Sequence, residues 1–249
     1  MKKGLSLGAG GVKGFVHLGV LQYLYEQEIK FDLVSGSSIG SIMGAMYALG
    51  FTPSKMMSEC IKIGFSDVQK LIGYRFVKNG LSGLIDQLLG GKSFEDTLIP
   101  FKAVAVNMFT GEQKNFSTGN LGVATACSGA IPPYLRPVKI EEGTFVDGAF
   151  IDSVPADVVK EMGADKILSV NLSYASPFNY SNKSYLDKLY PKNKVERADV
   201  TYQCYTYSDV IIEPDLKRYK AFGFKGFEEM FDIGYEEAKK NKDKLEIFR

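Results

Sequence analysis

Three short stretches of the chain could together carry acyl-transfer chemistry. Gly8-Ala9-Gly10-Gly11-Val12-Lys13-Gly14 is a glycine-rich turn able to offer successive backbone N–H groups to an anion. Gly36-Ser37-Ser38-Ile39-Gly40 is a G-x-S-x-G pattern able to expose a serine, and Asp147-Gly148-Ala149 sets a carboxylate beside a glycine. An anion cradle, a nucleophile and a base are the minimum for attack on an acyl carbon. The single histidine, His17, lies upstream of Ser38. A triad of the α/β-hydrolase kind carries its histidine after the acid, so His17 is expected to be structural and the base to be a carboxylate. Spacing alone does not separate Asp147 from Asp152 for that role. An aspartate at its reference pKa of about 3.9 is a weak base toward an alcohol. Most of the stabilisation is therefore expected from the oxyanion hole, where one donor contributes about 2.7–4 kcal/mol.

The glycine-rich turn has two nucleotide-binding rivals, and both fail on spacing. A dinucleotide fingerprint would need glycine where Lys13 stands, and a phosphate-binding P-loop would need serine or threonine where Gly14 follows Lys13. The turn then reads as an oxyanion cradle at a helix N-terminus, built from the amides of Gly10 and Gly11. Its third contributor is the amide of Ile39, directly after the nucleophile. Gly36 and Gly40 spare a tight elbow the side chains that would collide within it.

The elements needed to hold these groups can be read along the chain. Leu5 to Leu7 read as a short buried strand, followed by a helix from about Lys13 to Glu28 with Val16, Val20 and Leu24 along one face. Asp32 to Ser35 form a strand that feeds the elbow. A helix runs from Ser38 to Gly50, with Gly40, Gly44 and Ala48 as a small-residue face suited to close packing on a sheet. Thr52-Pro53 opens a helix expected to stop near Gly64. Phe65 to Gly91 are apolar but glycine-punctuated, and residues 51–100 are expected to include a lid or substrate-contact segment. Its candidates for membrane or ligand contact are Met56, Met57, Phe65, Leu71, Ile72, Phe76, Leu84 and Leu88.

Phe101 to Phe109 and Gln113 to Ser117 flank Thr110-Gly111 as a hairpin. A helix near Leu121 to Cys127 leads to the rigid Ile131-Pro132-Pro133, and Thr144 to Val146 is a strand that ends at Asp147. A helix from Val154 to Met162, strands at Lys166 to Leu172 and Asp209 to Ile212, and a closing helix from Phe227 to about Lys244 complete the reading. Ser173 to Ser208 is polar and rich in tyrosine. Strands alternating with helices predict a three-layer α/β/α sandwich with a mostly parallel central sheet, formed by residues 1–249 as one catalytic domain.

Bulk composition narrows the function. The 249 residues carry 30 Lys plus Arg against 29 Asp plus Glu, a net charge of +1. That balance leaves no footprint for nucleic acid and no electrostatic anchor for a membrane. The three cysteines are scattered and odd in number, as expected of reduced thiols in a cytoplasmic protein. The short, glycine-broken apolar stretch at the N-terminus does not read as a signal peptide, and no run is long enough to span a membrane.

The motifs resemble those of bacterial patatin-like phospholipases. Leu5 to Gly14 is similar to the family's glycine-rich block, with Lys13 in place of the more frequent arginine. Gly36 to Gly40 is similar to its nucleophile motif, and Asp147-Gly148-Ala149 to its Asp-Gly-Gly/Ala motif. Ser128-Gly129-Ala130-Ile131-Pro132, Asp152-Ser153-Val154-Pro155 and Ile212-Glu213-Pro214 resemble other family stretches. The similarity runs from residue 3 to about 238 and is weakest in 65–100 and 173–205. Departures are Ala9 for a glycine and Ile39 where a small residue is common.

The resemblance implies a Ser38–Asp147 dyad that hydrolyses fatty acyl esters of lipids, without metal or cofactor. Gly10, Gly11 and Ile39 would form the oxyanion hole, supported by Gly8, Lys13, Gly14, Gly36, Gly40 and Gly148. Its partner would be a lipid or acyl-ester substrate, with transient peripheral contact to membrane. An acyltransferase or thioesterase using the same dyad, and a non-catalytic acyl-lipid-binding regulator, are the alternatives.

Overall fold

The computed structural model describes residues 1–72, 80–132, 134–172, 202–220 and 226–249, with the side chains of 63–72 and 202 left aside. Expectations for Phe76, Pro133 and most of the tyrosine-rich stretch, and for the side chains of Phe65, Leu71 and Ile72, fall outside what is described.

A central sheet organises the chain. Its parallel part runs in the order β3 (Phe101–Asn107), β2 (Leu33–Ser37), β1 (Lys3–Leu7), β7 (Lys166–Val170) and β8 (Val210–Ile212). Antiparallel strands complete it: β4 (Gln113–Phe116) pairs with the outer edge of β3, while β6 (Gly143–Asp147), with β5 (Val138–Ile140) beside it, pairs with the other edge past the end of β2. Alternation sorts the faces. Leu5 and Leu7 point into the large core, while a Cβ on Gly4 would meet Val159 and Ala164 on the opposite side.

The large core lies under helices α1 (Gly14–Glu26), α2 (Ile39–Ala48), α3 (Pro53–Ile72), α4 (Gly80–Leu88), α5 (Leu121–Gly129) and α8 (Phe227–Lys240). On the other face, α6 (Ala156–Glu161) and α7 (Tyr202–Tyr207) enclose Leu33, Val154, Val159, Ile167 and Cys204. This is the expected α/β sandwich with a mostly parallel sheet.

Differences from the sequence reading are local and have physical reasons. α3 continues through Gly64 to Ile72; glycine costs a helix interior only about 1 kcal/mol relative to alanine and does not break it as proline does. β5 was not anticipated, because three residues after Pro137 give too short an alternation to read. Pro155 stands at the N-cap of α6, so that helix begins at Ala156 instead of Val154. The closing helix ends at Lys240, and a separate short helix, α9, follows at Lys242–Leu245. Met56 and Leu88, two of the candidates for membrane or ligand contact, are buried in the large core.

α1 is covered nearly all round, from Gly14 to Leu21 and at Tyr23 and Leu24, because α8 lies across it. The crossing depends on two glycines. A Cβ on Gly19 would stand 1.9 Å from the Phe231 carbonyl oxygen, and one on Gly234 would stand 2.1 Å from that of Val16. A side chain at either position forces the helices apart. Gly234→Ala is accordingly expected to cost about 1–3 kcal/mol of stability by overpacking, read as a lower urea midpoint. An unchanged midpoint would show that the crossing is not this close.

Candidate active site

The pairing of β3 brings the side chains of Ser38 and Asp147 together. Ala103 pairs with Phe116 of β4 and also with Gly36 of β2, while Ala105 pairs with Lys114 of β4 and also with Asp147 of β6. β2 and β6 therefore share the edge of β3 that faces away from β4. β2 runs parallel to β3 and ends at Ser37, opposite Val104; β6 runs antiparallel and ends at Asp147, opposite Ala105. Two strands meet head to head along one edge, and their C-terminal residues fall beside consecutive residues of β3.

Ser38 leaves the sheet at that junction with φ 56° and ψ −128°. Such a conformation costs a residue with a Cβ about 1–3 kcal/mol and is characteristic of a nucleophile elbow. The turn closes because a Cβ on Gly36 would stand 2.4 Å from the Gly40 oxygen, and one on Gly40 would stand 2.0 Å from the Leu7 oxygen. Ser38 Oγ donates to Asp147 Oδ2 at 2.6 Å, and both residues are buried. The other carboxylate oxygen accepts from the Ala149 N–H at 2.8 Å. Gly148 is required between them, since a Cβ there would stand 2.2 Å from the Val104 oxygen.

Burial dominates the electrostatics of Asp147. Loss of water raises its pKa from 3.8 to about 7, against the pull of the hydrogen bonds from Ser38 and Ala149. The carboxylate is thus a far stronger base than the reference value suggested. Asp152, inseparable from Asp147 by spacing, is buried at the entry to α6, where burial and the facing Asp157 raise its pKa. Its side chain has no hydrogen bond to Ser38.

The glycine-rich turn has uncommitted donors. In the turn after β1, the Gly8 N–H donates to Val170, the Ala9 N–H to Ser153 and the Lys13 N–H to Gly10. Among the described residues this leaves the amides of Gly10 and Gly11 unspent, with Gly11 at φ 59°. Ile39 opens α2, so its amide is one of the orphan donors of a helix N-terminus. The Ile39 side chain lies on the first turn of α1, where a Cβ on Gly14 would be 2.3 Å from it. Lys13 is buried beside the turn, and burial lowers its pKa.

His17 Nε2 lies 2.7 Å from the Gly8 carbonyl oxygen. A carbonyl only accepts, so Nε2 carries the proton. Burial holds the ring neutral, with a pKa of about 4. His17 thus braces the glycine-rich turn from behind and has no bond to Ser38. Burial pushes the thiols of Cys60, Cys127 and Cys204 up to about 12, which removes them as nucleophiles. Sequence reasoning gave Ser128 no role, yet its Oγ accepts the Ser38 N–H at 2.9 Å; the one signal was its place in the Ser128–Pro132 stretch.

The profile described as patatin-like phospholipase matches residues 5–160, more than half of the chain. The chain belongs to the patatin-like phospholipase family. Mouse patatin-like phospholipase domain-containing protein 6 is 24% identical over 274 residues, covering 94% of this chain and 20% of that protein. The chain therefore spans about a fifth of that relative's length. An NTE family protein of Mycobacterium tuberculosis is 26% identical over 174 residues, covering 68% of this chain and 48% of its own. Among solved structures, VipD from Legionella pneumophila superposes with a TM-score of 0.60 at 16% identity, over 97% of this chain and 67% of its own. That likeness is one of overall fold.

Two outcomes follow from the burial of Asp147. The acidic limb of the pH–rate profile should lie near pH 7 and stay there in His17→Gln, because the group is a carboxyl; a limb displaced or abolished in a folded His17→Gln would assign it to the imidazole. Between pH 3.8 and about 7 the folded chain keeps a proton that the unfolded chain releases, so burial of Asp147 lowers stability as pH rises through that window. Asp147→Asn should melt above wild type at pH 8 and level with it near pH 4. Equal melting at both would mean an ordinary pKa.

Proposed function

We propose that the chain is a serine carboxylic ester hydrolase acting on acyl lipids, with Ser38 as nucleophile and Asp147 as its base. The observation that carries this reading is the 2.6 Å hydrogen bond from Ser38 Oγ to Asp147 Oδ2 at a strained elbow, in a chain of the patatin-like phospholipase family. Asp147 takes the hydroxyl proton as Oγ attacks the ester carbonyl carbon. The carbonyl oxygen becomes an oxyanion facing the amides of Gly10, Gly11 and Ile39. Asp147 then returns the proton to the departing alcohol oxygen, which leaves an acyl-Ser38. Water attacks that ester with Asp147 again taking a proton, and Asp147 gives it back to Ser38 as the fatty acid departs.

A base near pH 7 suits this work, since it is largely ionised just above neutrality and still binds a proton firmly. The α2 N-terminus adds its dipole to the oxyanion site. A cytoplasmic setting fits Cys60, Cys127 and Cys204, which form no disulfide among the described residues. No helix among the described residues is long and apolar enough to cross a membrane. Contact with lipid would then be peripheral. Phe109 supports it: this side chain is 64% exposed just beyond β3, at the end of the sheet where β2 delivers Ser38.

Ser38→Ala should remain folded and lose hydrolysis of p-nitrophenyl butyrate by about 10⁴-fold or more; a tenth of wild-type activity remaining would remove Ser38 as nucleophile. Phe109→Glu should slow hydrolysis of phospholipid vesicles several-fold and leave the soluble ester unaffected. Equal rates on vesicles would place lipid contact elsewhere.

A further inference from the structure

The last turn of α5 touches the backbone of both proposed catalytic residues. Ser128, fully buried, accepts the Ser38 N–H at 2.9 Å and donates its own hydroxyl proton to the Val104 carbonyl at 2.5 Å. Two residues on, the Ala130 carbonyl accepts the Asp147 N–H at 2.8 Å. Val104 is the β3 residue opposite Ser37, and Ala105 is the one opposite Asp147. The segment 128–130 thus bridges the gap where β2 and β6 end head to head.

This gap is where the sheet gives out. The pairing of β2 with β3 stops at Ser37, so the Ser38 amide has no strand partner at the one residue whose φ of 56° needs holding. An unpaired buried N–H costs about 1–3 kcal/mol. Ser128 supplies the acceptor. Its hydroxyl is committed on both sides, as acceptor from Ser38 and donor to Val104, so it is not a spare nucleophile. The side chains of Ser38 and Asp147 then meet because their backbones are tied to one short, well-packed segment. α5 is itself capped by Asn120, whose side chain accepts the Val123 N–H, and lies so close to α4 that a Cβ on Gly122 would stand 2.6 Å from the Asp86 Cα.

We propose that Ser128 is a positioning residue for acyl transfer: with the Ala130 carbonyl it clamps the backbones of Ser38 and Asp147 and so fixes the spacing of the dyad. The proposal rests on the dyad reading. It predicts a loss in the chemical step and not in substrate binding, since Ser128 faces backbone on both sides. Misplacement by about 1 Å can cost a reaction about 10²-fold. It also predicts a shifted titration, because the Ser38 hydroxyl bond helps to hold the Asp147 carboxyl down.

The test compares wild type with Ser128→Ala, Ser128→Cys, Ser128→Thr and Thr125→Ala. Thr125 is buried one turn earlier in α5, and its hydroxyl bonds only within the helix, to Leu121 and Gly122. The readouts are the rate of Ser38 labelling by a fluorophosphonate, kcat and KM for p-nitrophenyl butyrate, the pH profile, and Tm. Ser128→Ala should label and turn over about 10–100-fold more slowly, with KM within twofold and the acidic limb moved to higher pH. Ser128→Thr, which keeps the hydroxyl, should recover much of the loss. Thr125→Ala should lower Tm and leave kcat and the limb in place. Should Ser128→Ala not fold, Ser128→Cys decides, because it keeps the volume and weakens both bonds; it should label more slowly than wild type. A folded Ser128→Ala or Ser128→Cys that labels at the wild-type rate with an unmoved limb overturns the clamp. So does a Thr125→Ala with the same kcat loss. A wild-type chain that takes no label at Ser38 refutes the dyad reading itself.

Discussion

Everything at the site depends on one edge of β3. Two strands of opposite direction pair with it in succession, and their ends abut at Val104 and Ala105. Hydrogen-bond register fixes a strand residue to a fraction of an ångström. A serine one residue past the end of β2 and an aspartate at the end of β6 are therefore brought together by backbone pairing before any side chain contributes. They stand 109 positions apart in the sequence, yet the geometry between them is as local as a turn. The cost falls at the junction, where Ser38 adopts an unfavourable backbone and three glycines keep the space clear.

The same junction sets the chemistry. A carboxylate at a surface turn would be a poor base toward an alcohol. Here the sheet, α5 and the turn after β6 exclude water from Asp147, and the price is a carboxylate that prefers its proton until near neutrality. On the proposed dyad reading, that preference is what would let one carboxyl do the work of an imidazole. The single histidine is drawn off to the other side of the glycine-rich turn, where burial keeps it neutral and its one proton bonds Gly8. If Asp147 is the base proposed, stability and activity are opposed at this residue, as is usual where function needs a buried charge.

The parts of this arrangement that were legible in the sequence are those dictated by local sterics. Gly36 and Gly40 around Ser38, and Gly148 after Asp147, signal backbone crowding that only glycine admits. Stretches rich in branched apolar residues, such as Ile167, Leu168, Val170 and Leu172, announce buried strands. What was not legible is tertiary. Spacing leaves Asp147 and Asp152 open and only the motif resemblance favours Asp147; the physical reason is which carboxylate the β3 edge carries to the elbow. The raised pKa of Asp147 depends on burial, which no local pattern encodes. Ser128 is an unremarkable helix serine until the fold sets its hydroxyl under the Ser38 amide. The persistence of α3 beyond Gly64 shows the reverse error, in which a weak local signal was given too much weight against the continuation of a helix.

The account stands on Asp147 being a buried carboxyl that ionises near neutrality. The most direct measurement is a carbon-13 NMR titration of the protein labelled at aspartate side-chain carboxyls, with Asp147→Asn to assign the resonance. The account predicts that this resonance titrates near pH 7. A resonance that remains ionised down to pH 4 would contradict it, since Asp147 would then be an ordinary solvated carboxylate and not the base of a dyad.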